Sequence, residues 1–399
     1  MIRRGQTCAE CQANRGPRLD GAGPFGYNET NKDARAGFFF CPGPREAETE
    51  WRFFNVKERK IGILGAGTWG MALARMLTNS GNDVLVWSAI EQEIDNLSAT
   101  RVHPNLPGMV IPEALRFTKS LEEVCSGKDI LLFAVPSVFV RSTAAKARPY
   151  IRDGQVIVDV AKGIEPETLF TMTEVLADEL GKEDGPKGLR LVALSGPTHA
   201  EEVAQDLPTT IVSASPDQTA AELVRDVFTN TCMRVYTNAD CKGVELCGAM
   251  KNVIALGVGI STGLGYGDNT RAALITRGIA EIARLGVAMG CNLQTFAGLA
   301  GIGDLIVTAT SRHSRNSRAG FLIGQGRTPE QAVKEVGMVV EGINALPAAM
   351  ELSERYQVEM PIAKTVNAIV REGMSPADAV RALMDRNPKD ETAAGYQDF

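Results

Sequence analysis

The chain has 399 residues, 44% hydrophobic and 23% charged, an ordinary globular composition with length for two domains and a sizeable core. A net charge of −6 and a pI near 5.4 argue against a general nucleic-acid binder, and no uncharged apolar run reaches about 18 residues, so no membrane span is expected. The cysteines are scattered without a paired pattern and read as free thiols of a reducing compartment.

Residues 1–57 mix Gly, Pro, Arg and Glu without periodicity and read as an extension, disordered or targeting. Cys8-x-x-Cys11 with the distant Cys41 has no fourth ligand nearby, which favours incidental cysteines over zinc. An apolar signal core is missing, and Glu46, Glu48 and Glu50 weigh against a transit peptide, which would mean an organelle instead of the cytoplasm. A gene whose start lies near Val56 would also account for the segment.

Next comes a short apolar run at 61–64, then Gly65-x-Gly67-x-x-Gly70, a helical stretch at 71–77, Asn79-Ser80-Gly81, and a second apolar run at 84–87. This is strand, glycine turn, helix, turn and strand within about thirty residues. Gly65 permits the tight turn, Gly67 lets a pyrophosphate approach the backbone, and Gly70 lets helix and strand pack closely. The helix start presents unpaired N–H groups to phosphates, so a dinucleotide site is expected here.

His103-Pro-Asn-Leu-Pro-Gly108 reads as a loop. Apolar runs at 130–135, 156–160 and 191–194 end at Pro136-Ser137, Ala161-Lys162-Gly163 and Ser195-Gly-Pro-Thr198. Such runs are the signature of parallel strands buried on both faces, with ligands off their carboxyl ends. Pro136, Lys162 and Gly196 to Thr198 should therefore line one crevice with the glycine turn. Further strands are expected at 209–215 and 234–237.

From about Val244 strand-like text gives way to helical periodicity, at 244–258, 271–289, 315–325, 329–335, 345–355 and 361–371. The expected fold class is α/β: an N-terminal Rossmann-type doubly wound sheet, a dinucleotide-binding domain over 58–243, then an all-helical C-terminal substrate-binding domain over 244–391. The charged stretch from Arg386 onward should fray.

Lys251 lies in an apolar helix, where a lysine either snorkels to the surface or faces a cleft. Gly257, Gly259, Gly263, Gly265 and Gly267 follow it, a density foreign to a plain core helix. Asp304, after Gly301-Ile-Gly303, is either a helix N-cap or a site acid. Arg312, Arg315 and Arg318 gather with Ser314 and Asn316 around a helix start, either as a solvated basic face or as an anion site. His199 and His313 receive no catalytic role.

Taken in order, Gly65-Ala-Gly-Thr-Trp-Gly70, Ala161-Lys-Gly163, Ser195-Gly-Pro-Thr198 with Ala200, Lys251-Asn252, Gly301-Ile-Gly-Asp304, Ser314-Arg-Asn316 and Val339-Val-Glu341-Gly342 resemble the bacterial-type NAD(P)-dependent glycerol-3-phosphate dehydrogenase family, from about Glu58 to about Lys389. The resemblance implies reversible reduction of dihydroxyacetone phosphate to sn-glycerol 3-phosphate for glycerophospholipid synthesis, in a cytoplasmic homodimer. It makes Lys251 the proton acceptor or donor, with Lys162 and Asp304 beside it at the catalytic centre. Lys162, Gly196, Thr198, Lys251, Asp304, Ser314, Arg315 and Asn316 match substrate-binding positions. Thr68, Trp69, Lys162, Ala200, Arg315, Val339 and Glu341 match cofactor-contacting positions, beside Gly65, Gly67 and Gly70.

One departure concerns the cofactor. An acid about 20 positions beyond the glycine motif marks NAD, and an arginine nearby favours NADP. Here the second strand ends Trp87-Ser88-Ala89 with neither; Glu91 and Glu93 follow, and no Lys or Arg lies between Arg75 and Arg101. This favours NAD, or use of both, over the NADP preference that the resemblance suggests. The competing readings are another two-domain hydroxyacid or ketopantoate-type dehydrogenase, which has no need of the 312–318 anion site, and a non-catalytic dinucleotide sensor, which has no need of Lys251 and Asp304.

Overall fold

The computed structural model describes residues 58–388 except 230; the expectations for the extension and for the residues beyond 388 lie outside the described residues. Eight strands form one sheet: β1 (Lys60–Leu64), β2 (Asp83–Trp87), β3 (Arg116–Thr118), β4 (Ile130–Phe133), β5 (Val156–Asp159), β6 (Arg190–Ser195), β7 (Thr209–Ala214) and β8 (Met233–Asn238), ordered β3-β2-β1-β4-β5-β6-β7-β8. All neighbours are parallel except β6 and β7, which run antiparallel. The order reverses between β1 and β4, registered Leu64 opposite Phe133, and the crevice off their carboxyl ends is where ligands of such sheets bind.

Alternate residues explain the uninterrupted apolar runs. Ile61, Ile63, Val84, Val86, Ile130 and Leu132 belong to one buried cluster; Leu64, Leu85, Trp87, Leu131 and Phe133 belong to another. Both faces of the sheet are thus covered, the doubly wound arrangement expected from the sequence. β3 was not anticipated: a three-residue edge strand leaves too short a run to read. The antiparallel step was not anticipated either, because periodicity carries no strand direction.

After β8 the chain is helical. Its centre is the Cys241–Gly263 helix, buried along nearly its whole length. It is longer at both ends than the stretch expected, because its glycines do not break it. A Cβ on Gly259 would lie 2.3 Å from the Ser317 carbonyl oxygen, and one on Gly320 2.1 Å from that of Leu256. The Arg315–Gly324 helix thus meets the central helix backbone to backbone, along a seam that any side chain would open.

The Cys241–Gly263 and Leu293–Thr310 segments are long and apolar enough by length and composition to cross a membrane. Neither is an uncharged apolar run, since Lys242, Glu245 and Lys251 interrupt the first and Asp304 the second. In the fold, 94% of the first segment's apolar window is buried as core. The second is broken into the Leu293–Phe296 helix, a π-helical turn at Leu299–Gly303 and the Asp304–Thr310 helix.

Candidate active site

The helix α1 (Thr68–Asn79) starts directly off β1 with Gly67 as its N-cap; no side chain caps it and no acid occupies its first turn. Its positive end is therefore open to an anion. Gly65 has φ +125°, where a Cβ would also stand 2.6 Å from the Ala134 carbonyl oxygen, and a Cβ on Gly70 would stand 2.2 Å from that of Gly65. Gly67, by contrast, faces open space. These residues fit a dinucleotide pyrophosphate: a tight turn, close packing behind it and an unobstructed approach in front. Trp69 and Ala200 both pack at the edge of the same sheet-side cluster.

His103 was missed. In what reads only as a Pro/Gly loop, its ring is buried, accepts from the Asn105 N–H at Nδ1 (3.2 Å), and so donates from Nε2 to the Ala66 carbonyl (3.2 Å). It pins the glycine turn from outside.

Off the ends of β5 and β6, the chain brings Lys162 and Gly196 to the central helix. Lys162 Nζ donates to the Gly196 carbonyl (3.1 Å) and to Asp304 Oδ2 (2.7 Å). Lys251 Nζ donates to Asp304 Oδ1 and to Thr308 Oγ1, the latter at 2.7 Å. Asp304 is fully buried and Lys251 is 5% exposed. Asp304 is not an N-cap: Gly303 holds that position, and the carboxylate leaves the first turn of its helix to receive both ammoniums. The preceding π-helical turn places it, the kind of irregularity that concentrates at functional sites. Thr308, one helical turn beyond Asp304, was also missed; within an apolar helix it carries no separate signal.

Burial pushes the Lys251 ammonium down, Asp304 opposes that fall and Lys162 adds to it, and the balance lowers it from 10.5 to about 7. Two cations on one carboxylate leave the pocket with excess positive charge, suited to an anionic ligand.

The Arg315–Gly324 helix begins at Ser314, whose side chain caps it by accepting from the Ser317 N–H (3.2 Å). Asn316 is buried and donates to Asn252 Oδ1 (2.9 Å) while accepting from the Gly342 N–H (2.8 Å). Asn252, next to Lys251, donates in turn to the Gly248 carbonyl (3.2 Å). Arg315 is half-buried, and its charge acts on Glu341, a carboxyl raised by burial that also accepts from Ser137 Oγ (3.4 Å). Arg312 and Arg318 are exposed. Thr198 Oγ1 donates to the Gly196 carbonyl (3.2 Å), and Val339 is 42% exposed just ahead of Glu341. The His199 and His313 rings lie 5.9 Å apart, with His199 Nε2 buried and unpartnered.

The arrangement can hold a dinucleotide at the glycine turn, attract an anion, and supply or take a proton at a lysine whose charge is balanced near neutrality. Residues 60–221 match the model for the NAD-dependent glycerol-3-phosphate dehydrogenase N-terminus, and residues 240–381 match that for its C-terminus. The chain is 66% identical over 332 residues to glycerol-3-phosphate dehydrogenase (NAD(P)+) 2 of Lactobacillus delbrueckii subsp. bulgaricus, covering 83% of this chain and 98% of that protein. It is 51% identical to glycerol-3-phosphate dehydrogenase (NAD(P)+) of Agathobacter rectalis, covering 83% and 97%. Among solved structures it is similar to glycerol-3-phosphate dehydrogenase from Coxiella burnetii, with a TM-score of 0.78 and 36% identity, covering 82% of this chain and 99% of that one.

Proposed function

Because the chain belongs to the NAD-dependent glycerol-3-phosphate dehydrogenase family, we propose that it reversibly reduces dihydroxyacetone phosphate to sn-glycerol 3-phosphate with NADH or NADPH. When bound, the nicotinamide supplies the hydride that joins the ketone carbon. The ketone oxygen then needs a proton, and Lys251 Nζ gives it; in the reverse direction the neutral amine takes the proton from the alcohol. Asp304 and Thr308 occupy two of the three ammonium donors and aim the third at the substrate oxygen. Lys162 keeps Lys251 near its titration point.

Gly196, Thr198, Ser314, Arg315 and Asn316 complete the substrate pocket, with Arg315 and the helix start at Ser314 gripping the phosphate. Gly65, Gly67, Thr68, Trp69, Gly70, Lys162, Ala200, Arg315, Val339 and Glu341 hold the dinucleotide. Residues 58–243 act as the dinucleotide-binding domain and 244–391 as the substrate domain. The enzyme works in the cytoplasm as a homodimer and feeds glycerophospholipid synthesis.

The observation that carries this reading is Lys251, buried and brought to about 7 beside Asp304 and Lys162. Its test is dihydroxyacetone-phosphate-dependent loss of reduced-nicotinamide absorbance with the purified chain. Turnover is expected; cofactor binding without turnover would point to another substrate or to a sensor.

A further inference from the structure

On the dehydrogenase reading, the dinucleotide runs along the carboxyl edge of β1 and β2. NAD and NADP differ there at one place on the adenosine ribose, a 2′-hydroxyl in one and a 2′-phosphate in the other. β2 ends at Trp87, and Ser88 and Ala89 beyond it carry no charge. A carboxylate reaches this place from the first turn of the helix α2 (Glu91–Thr100). Ser88, buried at the strand end, donates from Oγ to Glu93 Oε2 at 2.6 Å and accepts from the Ile90 N–H at 3.1 Å. The Glu93 side chain is thereby drawn back over the end of β2.

The neighbouring acids of α2 turn elsewhere. Glu91 and Asp95, four positions apart and so on one face, both meet Lys119, at 3.5 and 2.8 Å. Glu93 lies on the other side, where its charge acts on His103, the ring that pins the Ala66 carbonyl within the glycine turn. Glycine turn, strand end, Glu93 and His103 therefore stand together at the adenosine end of the crevice. No Lys or Arg lies between Arg75 and Arg101 to receive a phosphate from this stretch.

We propose that Glu93, held by Ser88, is the specificity-determining acceptor for the ribose 2′-hydroxyl and makes the enzyme select NAD(H) against NADP(H). A carboxylate offers only acceptor oxygens, so a hydroxyl can donate to it while a 2′-phosphate meets a like charge. The acid that usually sits directly at the strand end is supplied here from the helix and anchored back to the strand by a serine.

The assignment rests on the dehydrogenase reading but is tested apart from it, by binding. The full chain, Glu93→Gln and Ser88→Ala are each titrated with NADH and with NADPH, without substrate, following nicotinamide fluorescence. The native chain should bind NADH more tightly by about tenfold or more. Glu93→Gln should shrink the ratio of the two dissociation constants by about tenfold, chiefly through better NADPH binding. Ser88→Ala should move it in the same direction by less, since the carboxylate remains but is no longer anchored. Equal affinities or an NADPH preference in the native chain would overturn the proposal. So would an unchanged ratio in Glu93→Gln, which would leave Glu93 only fixing the turn. If the ratio behaves as expected but neither cofactor is oxidised by dihydroxyacetone phosphate, the substrate reading fails and the role of Glu93 stands.

Discussion

Lys251 and Lys162 reach the same carboxylate from two parts of the fold, one ammonium on each oxygen of Asp304. Lys162 arrives off the end of a sheet strand and Lys251 from the central helix, so the site is assembled only when sheet and helices close on one another. Burial first, and the charge of Lys162 after it, draw the Lys251 ammonium down to about 7 against the raising pull of Asp304.

The pH profile should have opposite limbs in the two directions. Oxidation of glycerol phosphate needs Lys251 as a neutral amine, so kcat/KM should rise through about pH 7 and level off above it. Reduction of dihydroxyacetone phosphate needs the ammonium, so kcat/KM should fall through the same pH. Lys162→Met removes a charge that lowers Lys251, and the midpoint should move to higher pH. Limbs of the same sign in both directions would exclude proton transfer by Lys251.

Lys251→Met should lower kcat by about a hundredfold to ten-thousandfold, the span of one general acid–base group, while dinucleotide affinity stays near that of the native chain. Stopped-flow turnover with a parallel binding titration separates the two quantities. Retained turnover would be incompatible with the assigned role.

Asp304→Asn leaves two cations without their shared anion. Lys251 has a folded value below its unfolded one, so its ionisation costs stability as pH falls from about 10.5 to about 7, and the cost is constant below that. Without the raising influence of Asp304 the folded value drops further, and the loss continues below pH 7. Urea midpoints should therefore separate more from the native chain at pH 6 than at pH 9; an equal gap at both would show that Asp304 does not bias Lys251.

Arg315→Ala should raise KM for the phosphorylated substrate by about tenfold or more, the worth of a charge-assisted hydrogen bond to phosphate. Inhibition by inorganic phosphate should weaken in parallel. An unaltered KM together with unaltered phosphate inhibition would move the anion site away from this helix start.

Gly259→Ala places a methyl 2.3 Å from the Ser317 carbonyl oxygen. Separating the two helices should cost about 1–3 kcal/mol, read as a lowered Tm, and should also reduce activity because Asn316 adjoins the displaced residue. An unchanged Tm would mean that the seam has slack.

Much of the sheet was legible because parallel strands buried on both faces leave runs that no surface element imitates. What escaped depended on partners distant in sequence. The glycines after Lys251 stood out, yet the purpose of Gly259 and Gly263 appears only when Gly320 and Gly324 of another helix lie against them, a Cβ on Gly324 coming 2.2 Å from the Ile260 carbonyl oxygen. Asp304 could be read as a cap or as a site acid, and only the position of two lysines distinguishes these. His103 and Thr308 act through hydrogen bonds to a few partners in stretches whose composition announces a loop and a helix.

The glycine seam also sets a length. Lys251 projects from one of its helices and Arg315 stands at the start of the other, and Asn252 is tied to Asn316 across the join at 2.9 Å. Backbones in direct contact have no side chains to repack, so the separation of the backbone at Lys251 from the backbone at Arg315 is as fixed as the two helices themselves. On the proposed assignment of Lys251 to the reacting oxygen and Arg315 to the phosphate, the seam works as a caliper set for one distance between them. On that assignment a substrate one carbon longer would have to fold itself to fit, because the backbone seam does not open for it.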